Sequence, residues 1–353
     1  MSAETMEHLN TATLIGNTDK RGTAWHYRAE MQGEESNHYP GAIPIEDVRR
    51  RLFDWQATSR RVAQEVDADM TTMTHLDNDG LPKRWLLVPE KQIIGRSDND
   101  HPMGVFAAGY LMHQYDEWLL KTVANILDDE LSISSAGILR LGAIAWVEVS
   151  VPDSITTPEG VTFRPNLLAT TSFDGSIATT FKRTITDTVC DNTREMALSE
   201  KGQQAKVKHS RYSQLKLADA RESLQLVHTL ADEFAAEVAK LCQIKVSTTQ
   251  WSTFLDHLVP LEVQGKKLEK RSLTTAENKR SALRKLYSHD LRVAPWAGTA
   301  HGVLQAVNTY EHHENSVRGG DRGERNMLRA VTGEFGNIDR ASWATLSQVL
   351  AKA

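Results

Sequence analysis

Residues 171–200 read TSFDGSIATTFKRTITDTVCDNTREMALSE, and this stretch decides the fold that we predict for the chain. The pair Asp174-Gly175 lies between two runs in which β-branched residues alternate with other side chains. Glycine tolerates the positive φ that a two-residue hairpin turn requires, so the pair predicts a tight turn between antiparallel strands. The stretch therefore predicts a β-hairpin near the centre of the chain.

The end of the same stretch indicates a helix. Asn192 or Thr193 offers a side-chain oxygen that can accept a hydrogen bond at a helix start, which predicts a helix over Arg194–Glu200. Gly202 follows at a position where helices commonly end. The second strand of the hairpin is thus expected to lead directly into a helix.

Segments before the hairpin extend it into a sheet. Alternating and apolar residues predict strands over residues 83–90, 136–152 and 161–171, and we expect the first of these to end at Pro89. Apolar residues at helical spacing predict flanking helices over residues 43–55 and 110–130. Strands joined by short connections and backed by helices are typical of an α+β fold, here an antiparallel β-meander with flanking helices.

The composition changes near residues 210–215. Residues 217–242 are rich in Ala, Leu and Glu and lack Gly and Pro, which predicts a long helix. Further helices are predicted over residues 248–259, 275–289, 299–313 and 340–352. We therefore expect a sheet-bearing part over residues 1–212, followed by a mostly helical part over residues 213–353.

Two details of the helical part can be predicted more closely. Thr274 and Glu277 have the spacing of a capping box, which places a helix start at this point. The segment SVRGGDRGERN, residues 316–326, has the composition of a flexible loop.

Bulk composition limits the class of protein. A chain of 353 residues with 25% charged side chains has an ordinary globular composition, and its two cysteines, Cys190 and Cys242, suggest no disulfide framework. The N-terminal residues lack a signal-peptide pattern, and no apolar run approaches the roughly 20 residues of a membrane helix. We expect a cytoplasmic protein, in the host cell if a phage encodes it, with no membrane partner.

The net charge of −5 conceals an uneven distribution. Residues 1–130 hold 13 basic and 22 acidic side chains, whereas residues 264–292 hold 9 basic and 3 acidic ones. Residues 181–216 are also basic, with 8 basic and 4 acidic side chains. Such segments are compatible with a polyanionic partner, and equally with solvated surface.

Motifs for metals and cofactors do not occur. The chain has no His-Glu-x-x-His, no Cys-x-x-Cys and no clustered acidic loop, and its glycines do not form a phosphate-binding loop. We therefore assign neither a metal site nor a cofactor, and no catalytic residue.

The strongest functional signal is a group of basic residues beside an aromatic side chain. Basic side chains that hold phosphates, next to a ring that stacks on a base, suit sequence-tolerant binding of single strands. The candidate nucleic-acid-binding residues are Lys182, Arg183, Lys206, Lys208, His209, Arg211 and Tyr212.

The order of motifs resembles a phage/plasmid-like family built on a domain of unknown function, which is common in phages and mobile elements. The Asp-Gly-Ser hairpin at 174–176 and the Val-Cys-x-Asn-Thr motif at 189–193 carry the resemblance most clearly. The other matching segments are GTAWHYR (22–28), SSAGILRLGAIAWVEVSVPDS (134–154), KVKHS (206–210) and GTAHGVLQAVNTYEHHE (298–314). Ala24 and Gln305 stand where the family usually has proline and asparagine.

Three functions remain open at this point. The first is a non-enzymatic nucleic-acid-binding protein of phage or plasmid DNA metabolism that binds single-stranded DNA and forms homo-oligomers, by analogy with the annealing recombinases of the RecT/Redβ/ERF kind. The second is an enzyme acting on a nucleotide or nucleic acid with the polar set His26, Asp174, Asn192 and His313. The third is a factor that binds a host protein. We favour the first.

Overall fold

A curled, antiparallel-rich sheet lies in the middle of the molecule, and the C-terminal part is helical. The computed structural model describes residues 14–17, 35–67, 75–76, 82–125, 127, 131–151, 154–187, 192–194, 204–207, 209, 227–316 and 322–352. Within those residues, no helix is long and apolar enough to cross a bilayer.

The strands are β1 (Leu14–Asn17), β2 (His38–Tyr39), β3 (Ala57–Asp67), β4 (His75–Leu76), β5 (Pro82–Arg96), β6 (Pro102–Ala107), β7 (Ser132–Leu139), β8 (Ile144–Ser150), β9 (Ile155–Thr156), β10 (Thr162–Ser172), β11 (Thr179–Asp187), β12 (Asn192–Arg194), β13 (Gln204–Val207), β14 (Glu262–Val263) and β15 (Lys266–Lys267). The helices are α1 (Ile45–Leu52), α2 (Lys121–Ala124, preceded by a π turn over Asp116–Leu120), α3 (Val227–Gln243), α4 (Thr248–Leu258), α5 (Lys270–His289), α6 (Ala300–Thr309, followed by a π turn over Tyr310–Glu314), α7 (Arg322–Thr332) and α8 (Glu334–Ala351).

The central sheet has nine strands in the order β12-β11-β10-β8-β7-β1-β2, with β13 also paired to β11 and β9 to β10. All of these pairs are antiparallel except β1–β2, which is parallel. Strands β7, β8, β10 and β11 are neighbours in chain order apart from the two-residue β9, which confirms the predicted α+β fold with an antiparallel meander. The single strand predicted over residues 136–152 is divided by a turn at Arg140–Gly142 into the end of β7 and β8. A second sheet is formed by β3, β5, β4 and β6.

The hairpin β10–β11 is present, but its connection is longer than the predicted two-residue turn. The last strand pair is Thr170 with Thr180. Gly175 has the expected positive φ of 77°, and Asp174 Oδ1 accepts a hydrogen bond of 2.8 Å from the Ser176 backbone N–H. The Asp side chain thus closes a local turn inside a wider loop, because it supplies an acceptor two residues before the backbone amide.

The predicted helix cap at Asn192 or Thr193 is wrong. Asn192–Arg194 forms β12, which pairs with β11 and lies beside α6 and α8. The edge of β11 provides hydrogen-bond partners for the backbone N–H and C=O groups of these residues, which are therefore satisfied in a strand and not in a helix. The remainder of the predicted helix and Gly202 lie outside the described residues.

The strand expected to end at Pro89 continues to Arg96. Ala63 pairs with Leu87, whereas Arg61 pairs with Gln92, so extra residues of β5 bulge out between the two paired segments. Pro89 lies in this bulge, where its missing N–H interrupts no ladder hydrogen bond.

Three boundaries in the helices also differ from the prediction. Helix α5 begins at Lys270, and the Thr274 hydroxyl donates to the Lys270 carbonyl inside the helix instead of capping it. The segment predicted as a loop over 316–326 contributes its second half to α7. The helix expected over residues 110–130 covers only Asp116–Ala124.

Helices cover both faces of the central sheet. On one face, α1 and α2 bury Val48, Leu52 and Val123 in the core with Phe181 of β11. On the same face, toward the start of β10, α3 packs Phe234 against Phe163, with ring centroids 4.7 Å apart. Helix α7 covers the opposite face with Met327, Leu328 and Val331, which pack against Leu139, Ile144, Trp146 and Leu168.

Helix α6 is the centre of the helical part, because all ten of its residues are buried. It packs against α3, α5 and α8. Its polar side chains make internal contacts: Asn308 Nδ2 donates to Asp339 Oδ1 at 3.1 Å. His312, in the following π turn, stacks on Phe335 with ring centroids 3.6 Å apart.

Candidate nucleic-acid interface

The structure places Lys182 and Arg183 under the C-terminal helices. Lys182 is 5% exposed, and its Nζ donates to the Ala330 carbonyl near the end of α7 at 2.8 Å. Arg183 is 8% exposed and forms an ion pair with Glu233 of α3 at 3.5 Å, and burial lowers its pKa. Both cations hold helices to the sheet and cannot line an open groove, contrary to our prediction.

The other predicted basic residues are placed only in part. Lys206 lies in β13, where it pairs with Thr180 of β11. Lys208, Arg211 and Tyr212 lie outside the described residues. The structure therefore places Lys206 in the sheet beside the hairpin, whereas the sequence indicated a basic segment that follows the hairpin and its helix.

His209 is held in a stack of aromatic rings. Its ring lies 4.9 Å from Tyr110 and 3.9 Å from His113, measured between centroids. Tyr110 stacks in turn on Phe106 at 4.0 Å, and His113 stacks on Trp118 at 3.6 Å. The stack fixes His209 against the segment that precedes α2.

Hydrogen bonds connect the two histidines through two threonines. His209 Nδ1 donates to the Leu111 carbonyl at 3.0 Å, so its Nε2 is the acceptor for the Thr171 hydroxyl at 3.0 Å. The Thr171 and Thr179 hydroxyls are hydrogen-bonded to each other at 2.8 Å, and Thr179 Oγ1 is hydrogen-bonded to His113 Nδ1 at 2.6 Å. Each hydroxyl donates only one proton. His113 Nδ1–H therefore donates to Thr179, Thr179 donates to Thr171, and Thr171 donates to His209 Nε2.

Both imidazoles are neutral near pH 7. Burial lowers the pKa of His113 to about 3 and that of His209 to about 4. A neutral ring offers no charge to a phosphate, so His209 anchors its segment and does not act as a cationic contact. The sequence could not reveal this cluster, because His113 and His209 are far apart in the chain and have no common motif.

Two members of the polar set proposed for an enzyme, Asp174 and Asn192, lie far apart. Asp174 lies in the loop before β11 and binds Arg140 at 2.9 Å; burial opposes its ionisation, but hydrogen bonds from Ser176 and Arg140 lower the pKa of Asp174 overall. Asn192 pairs with Asp187 at the other end of β11, which spans roughly 30 Å at about 3.4 Å per residue. His26 lies outside the described residues. The part of the chain that the structure describes holds no group of three or more His, Cys, Asp or Glu side chains suited to a metal ion.

An exposed basic surface occurs instead on α5, within the basic segment noted in the sequence. The exposed cationic residues of this helix are Lys270, Arg271, Arg284 and Lys285, and Lys266 and Lys267 of β15 precede them. Thr274, Glu277, Asn278 and Ser281 lie between them and are also exposed, so the surface holds one carboxylate among its cations and neutral polar groups. We call this surface the α5 face.

Packing determines which side of α5 reaches solvent. Ala276, Leu283 and Leu286 are buried in the helical core. The two cations on the inner side are neutralised: Arg280 binds Asp256 and Lys279 binds Glu311. Among the described residues, by contrast, no acidic side chain forms an ion pair with the cations of the α5 face.

Comparison with known proteins identifies a family but no activity. The family model described as Domain of unknown function (DUF932) matches residues 102–332. This match includes the β10–β11 hairpin, the histidine cluster and α5. No curated protein and no solved structure matches the chain.

Proposed function

Since the chain belongs to the DUF932 family, which is built on a domain of unknown function, we propose a function from its own geometry: it binds single-stranded nucleic acid through the phosphates. The observation that carries the proposal is the α5 face, where cations without acidic partners in the described residues alternate with hydroxyl and amide groups. Lys, Arg, Ser, Thr and Asn are the side chains that contact phosphates in protein–nucleic acid complexes.

The size of the α5 face suits several phosphates. The helix has 20 residues and is about 30 Å long at about 1.5 Å per residue. Lys270 and Lys285 lie near its two ends, with Thr274, Asn278 and Ser281 between them. A strand laid along the helix would meet a cation at each end and, in the middle, hydrogen-bond donors beside the exposed carboxylate of Glu277.

Contacts of this kind are independent of sequence. Tyr287, the aromatic residue of α5, is buried and stacks on Trp251 with ring centroids 4.3 Å apart, so it cannot stack on a base. The contacts of the α5 face are therefore electrostatic and hydrogen-bonding only, and carry no base readout. We assign base stacking to Tyr212, in the basic segment around β13.

The proposal extends to the process that the binding serves. Sequence-tolerant binding by an oligomer is what single-strand annealing in phage or plasmid DNA metabolism requires, and it needs no catalytic residue. The resemblance to phage and plasmid proteins and the basic segments support this extension. The scattered positions of Asp174 and Asn192 make the enzyme alternative weaker.

The test is a fluorescence titration of a labelled single-stranded oligonucleotide at several salt concentrations. A single strand gives a slope of about −0.7 in log K against log salt for each neutralised phosphate. The triple variant Lys270→Gln/Arg271→Gln/Lys285→Gln should flatten this slope by about two units. Lys240→Gln on α3, which removes an exposed cation outside the α5 face, is the matched control and should leave the slope nearly unchanged.

A second triple variant separates the two basic segments. Lys206→Gln/Lys208→Gln/Arg211→Gln removes the cations predicted around β13. If this variant alone flattens the slope, the α5 face is not the binding surface. If the folded wild-type protein binds no oligonucleotide at low salt, the proposal is refuted and binding of an acidic protein becomes the leading explanation.

A further inference from the structure

The antiparallel pair β3 and β5 exposes two apolar side chains at its far end. Beyond the bulge in β5, Leu86 is 45% and Leu87 is 59% exposed. Successive residues of a strand point to opposite faces, so one leucine projects from each side. We call residues 59–67 of β3, together with Leu86 and Leu87 of β5, the β-arm.

The β-arm also has a free edge. Strand β3 is the outermost strand of its sheet, with β5 on its inner side, and no strand among the described residues pairs with its outer side. An unpaired edge presents backbone N–H and C=O groups to another strand. The unpaired edge and the two exposed leucines together suit the addition of another strand to this sheet.

The sequence of β3 is complementary to itself about Ala63. If two copies pair antiparallel with Ala63 opposite Ala63, Arg61 of each copy lies opposite Glu65 of the other. Opposite charges that face each other across strands stabilise the pairing, and this register places no like charges opposite each other. Arg61 and Glu65 are both exposed at the edge of the sheet.

The same register extends an apolar row across the junction. Ala63 pairs with Leu87 within one copy, so the two side chains lie on the same face. With Ala63 opposite its counterpart, the row runs from Leu87 through both alanines to the second Leu87. The small alanines allow the two edges to approach closely.

We propose that the β-arm is a self-association surface, and that its partner is a second copy of this chain joined through antiparallel β3 edges. The charge pattern favours a second copy as the partner, because Arg61 and Glu65 of each copy pair with Glu65 and Arg61 of the other. An isologous interface requires this use of the same residues on both sides. The inference does not depend on nucleic-acid binding by the α5 face.

Charge reversal tests the register. Light scattering should give the wild type a mass of at least twice the 39.5 kDa of one chain. Arg61→Glu and Glu65→Arg should each weaken association by about tenfold or more, because each creates two like-charge pairs. The double variant Arg61→Glu/Glu65→Arg restores the opposite charges and should return to the wild-type mass. The triple α5 variant is the control and should keep the wild-type mass whatever its effect on nucleic-acid binding.

A disulfide provides an independent readout. Ala63→Cys should cross-link two copies under mild oxidation, since the two residues face each other. Ser59→Cys should not, because it lies opposite Asp67 and about 27 Å from its own counterpart at about 3.4 Å per residue. A wild-type monomer at high concentration, a double variant that remains dissociated, or equal cross-linking at both positions would overturn the proposal.

Discussion

Acidification should destabilise the protein well above the pH at which its carboxylates titrate. His113 is 1% and His312 4% exposed, and burial lowers the pKa of each to about 3. In the unfolded chain the same imidazoles have a pKa of about 6.5. Below that pH the unfolded state binds protons that the folded state cannot accept, so the free energy of unfolding falls as the pH falls.

The magnitude follows from proton linkage. Between about pH 7.5 and about pH 5.5, each buried neutral histidine should lower the free energy of unfolding by about 1.4 kcal/mol. The two together therefore contribute about 3 kcal/mol, a large part of the 5–15 kcal/mol that typically stabilises a domain. Glu148 acts in the opposite direction, because burial raises its pKa and the folded state gains affinity for a proton.

The assay is urea unfolding at several pH values, for the wild type and for His113→Phe. Phenylalanine can keep the stacking on Trp118 but cannot titrate, so the variant should lose about 1.4 kcal/mol less than the wild type over this pH range. The comparison cancels the contribution of Glu148, which is present in both proteins. His312→Phe should behave in the same way. Equal pH dependence in the wild type and both variants would refute the assignment of these histidines as buried and neutral.

Two glycines should be sensitive to substitution. Gly175→Val should cost about 1–2 kcal/mol because the residue has a φ of +77° and a Cβ there would lie 3.0 Å from Phe106 Cε1; thermal unfolding measures the loss, and lost oligonucleotide binding at unchanged stability would show a functional turn instead. Gly302→Ala should lower the free energy of unfolding by about 1–3 kcal/mol, because the added Cβ would lie 2.2 Å from the Trp296 carbonyl oxygen and α6 would have to shift. An unfolding midpoint equal to that of the wild type would contradict this packing.

The sheet could be predicted from the sequence because its strands are sequential. Alternation in β8 and β10 and the Asp-Gly pair identify neighbours that are joined by short connections. The burial of Lys182 and Arg183 could not be predicted, because alternation distinguishes two faces but does not show that helices cover both. Charged residues on a strand suggest solvent, and here each charge has its partner on a helix more than 45 residues away in the chain.

The binding residues named from the sequence include none of α5. The basic character of residues 264–292 is visible in the sequence, and the helical period of α5 separates its exposed cations from the two that bind Asp256 and Glu311. The histidine cluster is formed by tertiary contacts between distant segments, so no local pattern indicates it. Helix boundaries were missed where capping residues such as Thr274 lie inside a helix and bond to its carbonyls instead.

The complete burial of α6 has a consequence for how this protein is recognised. The segment GTAHGVLQAVNTYEHHE, one of those by which the chain resembles its relatives, includes a helix that solvent does not reach. A partner molecule cannot read those side chains in the folded protein. Similarity between relatives in this segment therefore reflects a shared core. Differences in what the relatives bind would instead depend on surface residues such as those of α5, for which overall sequence similarity is a poor guide.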